Sequence, residues 1–354
     1  MSMKIILANP RGFCAGVNMA IAVIDYLLEW FPDDQICVYH EIVHNRHVVD
    51  RFRHRGVIFI ENVCEAPEHS ILVFSAHGVS PQIREQARER NLTAIDATCP
   101  LVTKVHGEAI RYSRLGWQIL LIGHANHQEV IGTMGEAPDS IQIVETPEDI
   151  PNLQVDDPEE TIYLTQTTLS TDDAGIIIDA LKKAFPGIKA PPSEDICYAT
   201  TNRQHAVRTL APESDMVLVV GSKNSSNSVR LTEIAKNVGT PARLIDDASE
   251  LEHEWLKGVD TLLVTAGASA PPDLVNELVV KIAKTHDGVV EQWDIDKETV
   301  KFGMPGSLKS AMRKRGIKLK KTTIEVDSVG DLLEQMEAND IPFQSVDLTI
   351  GDTG

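Results

Sequence analysis

Short apolar runs recur along the chain, at residues 4–7, 35–39, 70–74, 94–96, 118–122, 161–164, 195–198, 216–220 and 261–264. Each is about the length of a β-strand, and most are rich in Val, Ile and Leu. Between most of them lie amphipathic stretches of helical period, as at 80–90, 104–115, 172–185 and 228–238. Strand alternating with helix predicts an α/β fold of parallel sheets with helical crossovers. Strands that are apolar on both faces predict sheets covered on both sides.

In parallel α/β sheets, ligands bind beyond the carboxyl ends of the strands. Here nearly every predicted strand empties into small or polar residues. Three of these ends carry cysteine: Cys14 after Asn9-Pro10-Arg11-Gly12-Phe13, Cys99 in Asp96-Ala97-Thr98-Cys99-Pro100, and Cys197 after Asp195-Ile196. The others present His44, His77, His127 with Glu129, Thr167 with Thr168, the run Asn224-Ser225-Ser226-Asn227-Ser228, and Ser269.

The spacing of these ends repeats. Steps of 30 and 33 residues lead from Cys14 to His44 and His77, and steps of 28 and 40 from Cys99 to His127 and Thr167. Steps of 28 and 44 lead from Cys197 to Ser225 and Ser269. The pattern predicts three small, pseudo-three-fold-related α/β domains. They would span residues 1–98 (Cys14, His44, His77), 99–196 (Cys99, His127, Glu129, Thr167) and 197–300 (Cys197, Ser225, Asn227, Ser269). Residues 301–354 break the pattern, with a basic run at 313–321 and one predicted helix near 328–339. The simplest expectation for them is a tail, solvated and appended to the rest.

Composition narrows the function classes. Hydrophobic residues make up 42% and charged residues 24%, an ordinary globular balance. The net charge of −19 argues against gripping a nucleic-acid backbone, which needs clustered Lys and Arg. It argues equally against broad adhesion to anionic membranes. No apolar run approaches the ~18 residues of a membrane span, and the first apolar stretch is too short for a signal-peptide core. A cytoplasmic location is expected, where the five cysteines would be reduced thiols.

Three thiols at strand-to-helix turns would converge on one centre, and helix N-termini are expected to favour thiolate there. Zinc sites normally use close cysteine pairs, which are absent. Iron–sulfur clusters can take thiolates from distant points in a chain, so a three-thiolate cluster competes with unrelated buried cysteines. Cys37 reads as a small core residue and Cys64 as a loop residue. His44, His77 and His127 could bind a metal or donate hydrogen bonds to an anion. Residues 224–228 suit an anion-binding helix start, or simply a cap. Neither a Walker-type phosphate loop nor a GxGxxG fingerprint occurs, so electrons would come from outside. Glu129 could donate a proton, with Thr167 to relay or position it.

Taken in order from residue 4 to about 300, these stretches resemble the 4-hydroxy-3-methylbut-2-enyl diphosphate reductase family, which closes the methylerythritol phosphate route to isoprenoids. The resemblance implies a trefoil of three α/β domains around one 4Fe-4S cluster per chain, held by Cys14, Cys99 and Cys197. It implies substrate contacts from His44, His77, His127, Thr167, Thr168, Ser225, Ser226, Asn227 and Ser269. Glu129 would be the proton donor, with Thr167 and His127 beside it in the catalytic group. The substrate hydroxyl would sit on the open iron, and electrons would come from ferredoxin or flavodoxin. Two other classes fit parts of the pattern. A cluster-dependent hydro-lyase would bring arginine clamps for carboxylates, and a non-catalytic iron–sulfur sensor would leave Glu129 without a purpose.

Overall fold

The structure, a computed structural model, describes residues 2–317 and 330–349. The first strands and helices are β1 (Lys4–Asn9), α1 (Ala15–Trp30), β2 (Ile36–Tyr39), α2 (Arg46–His54), β3 (Ile58–Ile60), β4 (Ile71–Phe74), α3 (Pro81–Glu89) and β5 (Thr93–Asp96). The middle of the chain forms α4 (Pro100–Arg114), β6 (Gln118–Ile122), α5 (Gln128–Glu136), β7 (Ile141–Val144), β8 (Thr161–Thr165) and α6 (Thr171–Ala184). Next come α7 (Tyr198–Leu210), β9 (Met216–Val220), α8 (Ser226–Asn237), β10 (Ala242–Ile245), β11 (Thr261–Ala266), α9 (Pro272–Thr285) and β12 (Val289–Asp294). The last elements are α10 (Gly306–Lys314), α11 (Gly330–Ala338) and β13 (Phe343–Asp347).

These elements build three α/β units with wholly parallel sheets, of order β3-β2-β4-β5, β7-β6-β8 and β10-β9-β11-β1-β12-β13. The central strands β4 and β9, and β8 at the edge of its sheet, are buried along their whole length, as parallel sheets with helices on both faces require. In the largest sheet the side chains alternate between two cores. Ile5 and Leu7 join Leu218 and Val264 on one face, while Ile6 and Ala8 join Val217 and Leu263 on the other.

Two features depart from the sequence reading. Residues 195–198 form no strand; Cys197 caps α7 instead. Asp195 is held out of any ladder, its buried carboxylate accepting from the Thr165 N–H (2.9 Å) and from Lys104 Nζ (2.7 Å). In addition, β1 pairs with β11 rather than within residues 1–98. Sheet membership therefore groups two of the cysteines with the two polar ends that precede them around the ring. Cys99 goes with His44 and His77 through β2, β4 and β5, and Cys14 with Ser225 and Ser269 through β9, β11 and β1.

The C-terminal region is not a solvated extension. Helix α10 buries Leu308 and Met312 in the core around β2 and β4, and Ser307 Oγ accepts from the Asp96 N–H at 2.9 Å. Strand β13 extends the largest sheet beyond β12, and Leu332 and Met336 of α11 are buried in its core. Within the basic run, Arg315 pairs with Asp34 at 2.7 Å, while residues 318–321 lie outside the described residues.

Candidate active site

All three cysteines are helix N-caps: Cys14 of α1, Cys99 of α4 with Pro100 in its first turn, and Cys197 of α7. Each turn is tied by its cysteine N–H to the carbonyl of a neighbouring polar strand end. Cys14 donates to Ala268 (3.2 Å), Cys99 to Ala76 (3.0 Å) and Cys197 to Thr167 (3.0 Å). The same bond thus recurs three times around a common centre. The turn before Cys14 needs Gly12 at φ +63°, a left-handed conformation glycine adopts freely. Gly16 is required by space: a Cβ there would meet Cys99 Sγ at 2.7 Å and Cys14 Sγ at 3.8 Å. Cys37 is fully buried in β2 and Cys64 is exposed, both away from this centre.

Three imidazoles line the same cavity as the thiols. His44 and His77 stack with ring centroids 3.9 Å apart, and His127 lies edge-on to them at 5.4 and 6.1 Å. His127 caps α5, its Nδ1 accepting from the Glu129 N–H at 3.2 Å. That bond places the ring hydrogen on Nε2. The Nε2 atoms of His44 and His127 are buried without a partner. Next to them, Ser225 caps α8, and Ser269 Oγ donates to the His44 carbonyl at 2.9 Å. Asn227 Oδ1 accepts from the Ala268 N–H at 3.1 Å, and Ser226 Oγ donates to the Thr168 carbonyl at 3.3 Å. Glu129 is buried, and its carboxylate accepts from both the N–H and the hydroxyl of Thr167 at 3.0 Å.

One cavity is lined by every site residue the sequence singled out: Cys14, Cys99, Cys197, His44, His77, His127, Glu129, Thr167, Thr168, Ser225, Ser226, Asn227 and Ser269. Among the described residues no arginine or lysine lines it, so they offer no carboxylate clamp of the kind expected of a hydro-lyase. Sequence reasoning overlooked Thr200, whose hydroxyl and N–H bond Cys197 Sγ at 3.1 and 3.3 Å. The signal was available, because a hydroxyl three residues beyond a cap falls within its reach. It also gave no role to Arg203, described below.

Electrostatically the walls differ. Burial raises the Cys14 and Cys99 thiols, and Cys14 adds to the rise at Cys99. Burial pushes Cys197 up to about 11. The thiolate-favouring effect expected of helix N-termini is thus outweighed by desolvation. Burial holds His127 down to about 3, and burial with repulsion from His44 and His127 holds His77 well below the usual range. The Glu129 carboxyl is raised by burial, against the bonds from Thr167. Among the described residues no three His, Cys, Asp or Glu side chains stand close enough to hold a single metal ion. None of the described helices is long and apolar enough to cross a membrane.

A family model described as LytB protein matches residues 5–283. The 4-hydroxy-3-methylbut-2-enyl diphosphate reductase of Mannheimia succiniciproducens is 52% identical over 310 residues, 87% of this chain and 98% of that protein. The protein of the same name from Escherichia coli O9:H4 is 51% identical over 314 residues, 88% of this chain and 99% of that protein. A solved structure, the E-1-hydroxy-2-methyl-but-2-enyl-4-diphosphate reductase from Plasmodium falciparum, matches with a TM-score of 0.85 at 39% identity. It covers 89% of this chain and 100% of that one.

Proposed function

The chain belongs to the LytB protein family, and from that premise we propose that it reduces 4-hydroxy-3-methylbut-2-enyl diphosphate to isopentenyl and dimethylallyl diphosphates. The reaction takes in two electrons and two protons and releases the allylic hydroxyl as water. Its place is the last step of the methylerythritol phosphate pathway, in the cytoplasm, with ferredoxin or flavodoxin as electron donor.

The observation that carries the reading is the opposition of two walls in one cavity. Three desolvated thiols on one side become thiolates only against a positive partner. Two desolvated imidazoles on the other, those of His77 and His127, become imidazolium only against a negative one. A 4Fe-4S cluster would answer the first demand and would be held by Cys14, Cys99 and Cys197, since such clusters can take thiolates from distant points in a chain. A diphosphate answers the second. When bound, such a cluster supplies electrons and one iron free of protein thiolate that acts as a Lewis acid.

The chain's own residues do the rest. His44, His77, His127, Ser225, Ser226, Asn227, Ser269 and Thr168 hold the diphosphate beside the first turn of α8, whose free N–H groups favour an anion. This fixes the hydroxylated end in the cavity and converts a collision into a held geometry. Glu129, whose carboxyl burial pushes towards the protonated form, delivers the proton that lets the hydroxyl leave as water. Thr167 fixes the carboxyl with two donors and faces the same space.

Glu129→Gln tests the assignment. It keeps the shape but cannot deliver a proton, so turnover in an anaerobic assay should fall about 10²–10⁴-fold. Binding of inorganic diphosphate should persist, because none of its contacts is removed. Normal turnover would require another proton source and would overturn the role of Glu129.

A further inference from the structure

Arg203, on α7, is the largest fully buried side chain, with 0% exposure. Among the described residues it is the only lysine or arginine in the buried set. A buried guanidinium is costly unless it is paired and hydrogen-bonded. Its Nη1 donates to the Ala199 carbonyl (2.9 Å) and to Glu298 (2.8 Å), and its Nη2 to the Gly12 carbonyl (2.7 Å). Its Nε has no partner.

The two carbonyls matter because of where they lie. Gly12 is two residues before Cys14, and Ala199 two residues after Cys197. One guanidinium therefore staples two cysteine turns together and sets a full positive charge beside both. Among the described residues no other buried lysine or arginine is available to the third turn, that of Cys99. Glu298, on the loop after β12, is the counterion, with its side chain 18% exposed. A neutral amide could link two carbonyls as well, so linking alone does not require the charge.

We infer that the buried Arg203 and its half-buried partner Glu298 form a charge pair that positions the Cys14 and Cys197 turns and sets the reduction potential of the group those thiols hold. The inference rests on the cluster reading above. One-electron reduction adds one negative charge to a thiolate-bound cluster. Arg203 stabilises that added charge, and Glu298 partly cancels the effect.

The test is a mediated electrochemical titration of the anaerobic holoprotein, with the electrode as the electron source. Glu298→Gln removes the opposing charge, and the midpoint potential should rise. Arg203→Gln should lower it, whereas Arg203→Lys, which keeps the charge, should stay near wild type. A tenfold change in the reduction equilibrium reads as about 59 mV for one electron. A merely structural role would not move the Gln variants in opposite directions. If Arg203→Gln fails to retain iron, Glu298→Gln and Arg203→Lys decide. An unchanged or lowered potential in Glu298→Gln, with the cluster intact, overturns the inference and leaves the cluster reading standing. Wild-type protein purified anaerobically without an iron–sulfur chromophore would sink both.

Discussion

The two walls of the cavity were shaped by one force with opposite results. On the thiol wall, desolvation raises pKa values and keeps the sulfurs protonated. On the imidazole wall, desolvation lowers those of His77 and His127 and keeps these two rings neutral. The three thiols and these two rings become charged only when a partner of opposite sign arrives. The walls also differ in construction. Each thiol is held through its backbone by a repeated bond to a neighbouring strand end. The imidazoles are set by stacking and by caps, and two Nε2 atoms are left unpaired. The lesson is that burial prepares a site for a charge without revealing its sign; the residue type decides that.

The largest effects should come from breaking one wall and sparing the other. Cys14→Ser, Cys99→Ser and Cys197→Ser should each lose most bound iron and sulfide in anaerobic preparations, while Cys37→Ser and Cys64→Ser keep it. Full iron in the Cys197→Ser protein would break the assignment. On the opposite wall, His44→Ala should retain iron but weaken inorganic diphosphate. A hydrogen bond to a charged group contributes about 1.5–3 kcal/mol, so a loss of roughly 10–100-fold is expected by calorimetry.

The comparison is sharpened by pH. The free imidazoles of His77 and His127 are held neutral, and an anion favours their protonated form. Binding should therefore take up protons, and diphosphate affinity should rise as pH falls from 8 towards 6. Linkage allows up to about tenfold per pH unit for each proton taken up. Calorimetry in buffers of different ionisation enthalpy measures the uptake, and His127→Asn should reduce it. Equal uptake in that variant would remove His127 from the anion wall.

A smaller perturbation is Gly16→Ala, whose added carbon would crowd Cys99 Sγ. The backbone there suits alanine, so the protein should fold with unchanged diphosphate affinity and reduced iron content. The smallest effect at the site should follow truncation after Ile317. It removes Leu332 and Met336 from the core beside β12, worth about 1.5–3 kcal/mol each. Chemical denaturation should show a loss of a few kcal/mol, with iron content and turnover preserved. Cutting earlier, near residue 303, would also strip Leu308 and Met312 from a different core.

Much of this organisation was legible in the sequence, for identifiable reasons. Central strands such as β6 and β9 are buried on both faces, so their apolar runs stand out. Strands β3, β7, β10 and β13 lie at sheet edges; polar residues interrupt the runs of β7, β10 and β13, and β3 is only three residues long. The cysteine caps were readable because Pro100 and the hydroxyl-rich start of α7 mark helix starts. What could not be read was which sheet a strand joins. That choice carries β1 across the chain to β11, and it is a tertiary decision that spacing does not encode. The direction of the thiol shifts was also hidden, since a cap position suggests thiolate and only burial reverses it. Arg203 was invisible because an arginine in a helix reads as a solvated residue until the packing around it is known.

The central claim is that one wall holds a multi-iron cluster through three thiolates and the other brings the substrate to it. Mössbauer spectra of anaerobic, iron-57-loaded protein, recorded with and without 4-hydroxy-3-methylbut-2-enyl diphosphate, test it most directly. The account predicts one iron signal distinct from the rest, moved by the substrate while the others hold still. Four equivalent irons indifferent to substrate, or no cluster signal, would contradict it.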